Sequence, residues 1–255
     1  MSVYYNEIDS YCAEWLRNLM REKLIPEGDV DERSIADVDP ADLLGFTTCH
    51  FFAGLGGWAY ALRLAGWPDD RPVWTGSCPC QPFSAAGKRK GFADERHLWP
   101  FFCNLIRERR PAIVFGEQVA SASQWLRLVR SDLETLEYAA GTMPIQAASA
   151  GAFHPRERFF FVADTQGEGR CGRQTMAGRR RAESGRPSED VRAFARPLRT
   201  GNGATIDVSD VLRPSYGIPA RVAKLRAIGN AIDSRPAVEF IAAADDAMND
   251  AEMFS

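Results

Sequence analysis

The chain contains no apolar run long enough to cross a bilayer, since none approaches the roughly 20 residues that a spanning helix needs. Its opening stretch, MSVYYNEIDSY, has neither the basic nor the apolar region of a secretory signal. Six cysteines are scattered without regular spacing, so no disulfide framework is expected and a reducing, cytoplasmic setting is. Cys78, Cys80, His97 and Cys103 fit no common zinc spacing, and no metal is expected. There is no internal repeat. A net charge of −3 gives the whole chain no footprint for nucleic acid.

What the average hides, the distribution reveals. Between Gln166 and Thr200 nine arginines, among them Arg179, Arg180 and Arg181, face four acids, so that stretch carries +5 and the remainder −8. A basic stripe on an acidic body suits phosphate, although a solvated Gly-rich loop has the same composition. With 255 residues, 45% of them hydrophobic, the chain can build one sizeable α/β domain and a small appendage.

The periodicity predicts strands over Ser2–Tyr5, Thr47–Phe52, Pro72–Thr75, Pro111–Phe115, Gly141–Ala148 and Phe159–Ala163. Helices are expected over Tyr11–Leu24, with Ser10 as N-cap, and over Trp58–Ala65, His97–Arg109 and Trp125–Leu136. Two helical pieces are expected within Val222–Ala244, and Asp245–Ser255 reads as a frayed tail.

Two places on this frame invite chemistry. The strand Thr47–Phe52 runs into Ala53-Gly-Leu-Gly-Gly57 and then a helix, the arrangement that brings backbone N–H groups to a nucleotide-like ligand. The loop has no Lys-Ser/Thr of a P-loop and no full dinucleotide fingerprint, which argues against a nicotinamide enzyme. The second place is Gly76-Ser-Cys-Pro-Cys-Gln-Pro-Phe-Ser84, where two thiols sit on a turn after a buried strand. Further on, Glu117 follows an apolar strand, where a carboxylate is expensive to bury without a task.

The string Pro79-Cys-Gln-Pro-Phe-Ser84 resembles the nucleophile loop of the cytosine-5 DNA methyltransferase family. FAGLGG, Phe52 to Gly57, resembles that family's S-adenosylmethionine loop. Arg156-x-Arg158 resembles its paired arginines, Gly116-Glu-Gln-Val119 its Glu-Asn-Val motif with Gln118 departing, and Gly229-Asn-Ala231 its last motif. The resemblance implies a Rossmann-like class I methyltransferase, an α/β protein with a mostly parallel, doubly wound sheet and a small Arg/Gly-rich recognition insertion.

By that resemblance Cys80 is the nucleophile and Cys78 is not. Glu117 holds the cytosine ring nitrogen, and Arg158 with Arg156 holds its oxygen side. The cofactor is expected against Phe52, Ala53, Gly54, Leu55, Gly56, Gly57 and Asn230. Gln81, Ser84, Lys88, Arg89, Lys90, Arg179, Arg180 and Arg181 are expected to face double-stranded DNA, whose target cytosine must leave the stack.

The order of the motifs departs from the family's. Gly57 and Cys80 are only 23 positions apart, with no room for the two strands that normally intervene in the family. Asn6-Glu7-Ile8-Asp9 resembles the family's second-strand motif and Ser34-Ile35 its third, so residues 1–45 are expected to be permuted units. Glu7 and Ile8, then Ser34 and Ile35, would join the cofactor pocket. The expected division is 1–163 for catalysis and cofactor, 164–205 for target recognition, and 206–255 returning to the first part. A monomer acting on DNA is the leading expectation, and stand-alone, restriction-modification and phage-borne enzymes all fit it. An RNA cytosine-5 methyltransferase, or a weakly active DNA-binding subunit that needs a partner, stays open.

Overall fold

The computed structural model describes residues 2–79, 98–119, 122–146, 149, 157–165, 198–199, 205–206 and 232–252. Seven strands form one sheet: β1 (Val3–Asn6), β2 (Asp29–Asp31), β3 (Thr48–Phe51), β4 (Val73–Gly76), β5 (Ile113–Val119), β6 (Ala139–Gln146) and β7 (Glu157–Asp164). Their spatial order is β2-β1-β3-β4-β5-β7-β6. Pairing is parallel from β2 to β5, and β7 is antiparallel to both its neighbours. A separate two-stranded pairing joins β8 (Leu198–Arg199) to β9 (Thr205–Ile206).

Helices cover both faces, as a mostly parallel sheet requires. On one face lie α1 (Ser10–Arg21), α2 (Gly57–Leu64) and α5 (Ser234–Glu252). There Trp58 of α2 meets Phe115 and Phe160, and Phe240 of α5 packs on the same two rings. On the other face lie α3 (Trp99–Arg109) and α4 (Ser123–Thr135), where Phe102 and Trp125 pack against Phe51 and Phe161. Alternation along each strand makes this division: Tyr4, Phe51 and Trp74 face α3, while Tyr5, His50 and Phe115 face α1 and α2. Each fully buried aromatic stabilises the fold by roughly 2–3 kcal/mol.

Four details depart from the sequence expectation. Asp9, not Ser10, caps α1, its Oδ1 accepting from the N–H groups of Tyr11 and Cys12 at 3.0 and 3.1 Å. The acidic stretch at Asp29–Asp31 is an edge strand, formed because β1 offers it a free ladder. The strand expected over Gly141–Ala148 begins at Ala139 and ends at Gln146. The expected tail is helix through Glu252, held by a buried Ala244 and an ion pair between Arg71 and Asp245. No helix among the described residues is long and apolar enough to cross a membrane.

Candidate active site at the carboxyl edge of the sheet

In a parallel sheet, ligand chemistry collects where strands end and loops begin. Here the exits of β1, β3, β4 and the far half of β5 lie side by side, and they carry Glu7, Phe52–Gly57, Ser77–Pro79 and Glu117.

The glycine loop is shaped by backbone that only small residues accept readily. Gly54 and Gly56 have φ of 55° and 79°, and Phe52 also takes the left-handed region at 53°. Ala53 N–H donates to the Asn6 carbonyl at 3.0 Å, which ties the loop to the neighbouring strand. Gly54 N–H donates to Glu7 Oε2 at 2.6 Å, and Asp9 N–H donates to Glu7 Oε1 at 2.8 Å. Burial pushes the Glu7 carboxyl above the ordinary carboxylate range, and these two N–H groups oppose the shift. Beside it Ile8 is 67% exposed, an apolar side chain standing in solvent at the mouth of the loop. The Phe52 ring stands edge-on to Phe102 with centroids 6.3 Å apart.

Gly57 closes the loop and starts α2. A Cβ there would lie 2.1 Å from Ile232 Cγ2, so the segment leading into α5 rests directly on the glycine loop. Asn230, two residues before that contact, lies outside the described residues.

Ser34 and Ile35 are near this edge but differ from expectation. The strand of this unit is β2, Asp29–Asp31, and Ser34 lies beyond it, capping a 3-10 turn with its Oγ accepting from Ala36 N–H at 3.3 Å. Asn6 Nδ2 donates to the adjacent Arg33 carbonyl at 2.9 Å. Ile35 is buried in the core, 3% exposed.

On β5, Glu117 and Gln118 point to opposite faces. Glu117 is 7% exposed and pairs with Arg158 of β7, Nε to Oε1 at 2.7 Å. The register explains the pairing, because Glu117 sits opposite Phe160 and Arg158 lies diagonally across on the same face. Gln118 Nε2 donates to the Cys78 carbonyl at 3.2 Å. Cys78 itself is buried among apolar neighbours, and burial pushes its thiol well up, which suits an inert cysteine. Cys80, Gln81, Ser84, Lys88, Arg89, Lys90, Arg156, Arg179, Arg180 and Arg181 lie outside the described residues. The sequence reading missed Trp58, whose indole N–H donates to Ser77 Oγ at 3.0 Å.

The sequence model described as C-5 cytosine-specific DNA methylase matches residues 67–192. That stretch is just under half of the chain, which is similar there to C-5 cytosine-specific DNA methylases. The mostly parallel α/β sheet with helices on both faces is the doubly wound fold class expected from the sequence. Type II methyltransferase M.HhaI of Haemophilus parahaemolyticus is 29% identical over 169 residues, 63% of this chain and 41% of its own length. Type II methyltransferase M.AplI of Arthrospira platensis is 36% identical over 104 residues, 39% of this chain and 29% of that one. Among solved structures, a methyltransferase of Entamoeba histolytica, EhMeth, shares 15% identity at a TM-score of 0.45, covering 64% of this chain and 44% of that chain. The chain thus spans less than half the length of these relatives. Its family match begins at Trp67, beyond the glycine loop.

Proposed function

We propose that the protein is a DNA cytosine-5 methyltransferase that uses S-adenosylmethionine and carries its chemistry on Cys80. The observation that carries this reading is the convergence at one sheet edge of Glu7 on the glycine loop, the β4 exit towards Cys80, and the Glu117–Arg158 pair.

The donor set fits the cofactor. A nucleoside needs acceptors for ribose hydroxyls, backbone N–H groups and an apolar surface, and Glu7, the Phe52–Gly57 loop and the exposed Ile8 offer these together. Ala53, Leu55 and Gly56 belong to that loop, and Asn230, two residues before Ile232 on Gly57, would close it. Ser34 would line the far side, with Ile35 behind it as support. S-adenosylmethionine, when bound, supplies a methyl group on a sulfonium to a carbon made nucleophilic.

The chain's own residues make that carbon nucleophilic. C5 of cytosine is electron-poor until the Cys80 thiolate bonds to C6 and the C5–C6 π pair moves onto C5. Glu117 holds N3 and delivers a proton there, which relieves the negative charge that the addition creates. Arg158 fixes the Glu117 carboxylate and, with Arg156, holds the oxygen side of the ring. Loss of the C5 proton to a base, with return of the N3 proton to Glu117, then expels the thiolate and restores the aromatic ring. Gln81, Ser84, Lys88, Arg89, Lys90 and the arginines 179–181 would hold the extruded strand by its phosphates and sugars.

We also infer that residues 1–45 supply the strand units that in the family follow the glycine loop, which makes the chain a permuted member. The parallel β1–β3 register, the Glu7–Gly54 bond and a family match that starts past the loop support this.

The test is transfer of labelled methyl from S-adenosylmethionine to duplex DNA and to RNA of matched sequence, for the parent and for Cys80→Ser. Label in DNA 5-methylcytosine that vanishes in the variant is the expected result. Label in RNA alone, or DNA binding without any transfer, would overturn the reading.

A further inference from the structure

A loop that leaves a sheet loses its ladder partners, so the direction it takes depends on side chains that grip its first residues. The last residue of β4 is Gly76, and Ser77, Cys78 and Pro79 lead from it to Cys80. Both Ser77 and Cys78 are gripped, and from opposite faces of the sheet.

From the α2 face, Trp58 donates its indole N–H to Ser77 Oγ at 3.0 Å. The ring is 4% exposed and cannot swing, being stacked on Phe115 at 6.0 Å and set edge-on to Phe160 at 6.0 Å. From the α3 face, Gln118 donates to the Cys78 carbonyl at 3.2 Å. Its amide orientation is set, because Oε1 also accepts from Val119 N–H at 3.0 Å, and the residue is 2% exposed. Neither donor has solvent to fall back on, so each bond is costly to lose.

Gln118 is also the residue after Glu117. One backbone step on β5 therefore links the group proposed to act on N3 to the group that grips the chain before Cys80.

We propose that Trp58 and Gln118 are positioning residues for the methyl-transfer site, a two-sided clamp on Ser77-Cys78 that sets where Cys80 stands relative to Glu117. This rests on the DNA methyltransferase reading above. It also gives the amide of Gln118, the residue that departs from the Glu-Asn-Val motif, a task at the Cys78 carbonyl.

The test uses Trp58→Phe, which keeps an aromatic ring and removes the N–H, Gln118→Met, which keeps the length and removes the amide, and Ser77→Ala. Each is assayed for kcat, for KM of cofactor and DNA, and for the rate of the covalent adduct with duplex carrying 5-fluorocytosine. That base has no C5 proton to lose, so the thioether persists once the methyl is added. Each single variant is expected to lower kcat and adduct rate about threefold to tenfold with cofactor KM within twofold. Trp58→Phe combined with Ser77→Ala should cost no more than either alone, since both remove one bond. Unchanged kcat in folded Trp58→Phe and Gln118→Met, or additive losses in the double variant, would overturn the clamp. If Trp58→Phe does not fold, Ser77→Ala and Gln118→Met decide alone. Failure of the underlying reading is distinguishable, because the parent itself would then form neither methylcytosine nor adduct.

Discussion

Glu7 and Gly54, 47 positions apart, meet at 2.6 Å, where the carboxylate of one strand exit accepts the backbone N–H of the next. That bond makes the first strand part of the glycine loop's wall. A carboxylate already committed to two N–H groups is held in place before any ligand arrives, so it has little entropy to lose on binding.

Glu7→Ala is therefore expected to weaken S-adenosylmethionine binding about 10–100-fold, the worth of one hydrogen bond to a charged group. Calorimetric titration of the cofactor measures it. In the parent, affinity should fall as acid neutralises Glu7, at a pH above that of an ordinary carboxylate because burial raises this group. Affinity that is flat with pH, or intact in the variant, would remove Glu7 from the pocket.

Glu117→Gln is expected to cut kcat by roughly 10²–10⁴, the usual contribution of a positioned proton donor. Cofactor affinity should be retained, because Glu117 pairs with Arg158 and not with the glycine loop. Steady-state kinetics alongside cofactor titration separates the two.

His50 sets an acid limit on stability. It is 2% exposed, stacked on Tyr5, with Nδ1 and Thr75 Oγ1 2.8 Å apart. Burial pushes its imidazole down from 6.5 to about 3. The folded state thus refuses a proton that the unfolded chain accepts. This contribution is whole above pH 6.5 and is lost as pH falls from there towards 3. Between pH 7 and pH 5 the His50 share of the loss is about 2 kcal/mol. Urea unfolding at the two values should show that loss in the parent and less of it in His50→Leu.

Gly116→Ala is expected to destabilise by about 1–3 kcal/mol or more, because a Cβ there would lie 2.2 Å from the Phe161 ring and 2.7 Å from the Gly76 carbonyl oxygen. Gly141→Ala is the control, since among the described residues its Cβ would meet only Val162 Cγ1 at 3.6 Å. Equal denaturation midpoints for the two variants would contradict the packing described.

Asp9→Ala should cost about 1 kcal/mol through loss of the α1 cap, whereas Ser10→Ala should be close to neutral. Thermal unfolding of the pair distinguishes the two caps.

The sequence by itself determined what is local. Strand, glycines and helix lie within one short stretch around Phe52–Gly57, and alternation or helical spacing of apolar residues announces β3, β4, α2, α3 and α4. The Cys80 and Arg158 motifs are likewise readable as strings. Tertiary structure alone decided the rest. Asp29–Asp31 has no apolar alternation to mark it as a strand, and it becomes one because β1 lends it ladder partners. Asp9 takes the α1 cap because its backbone is extended, at φ −81° and ψ 114°, while Ser10 is already the first helical residue. The Glu117–Arg158 pair depends on an antiparallel register between segments some 40 residues apart in sequence. The grip of Trp58 and Gln118 on Ser77 and Cys78 needs both faces of a finished sheet. Spacing along a chain records periodicity, but which polar groups meet across it depends on register and layer, and those exist only once the core is packed.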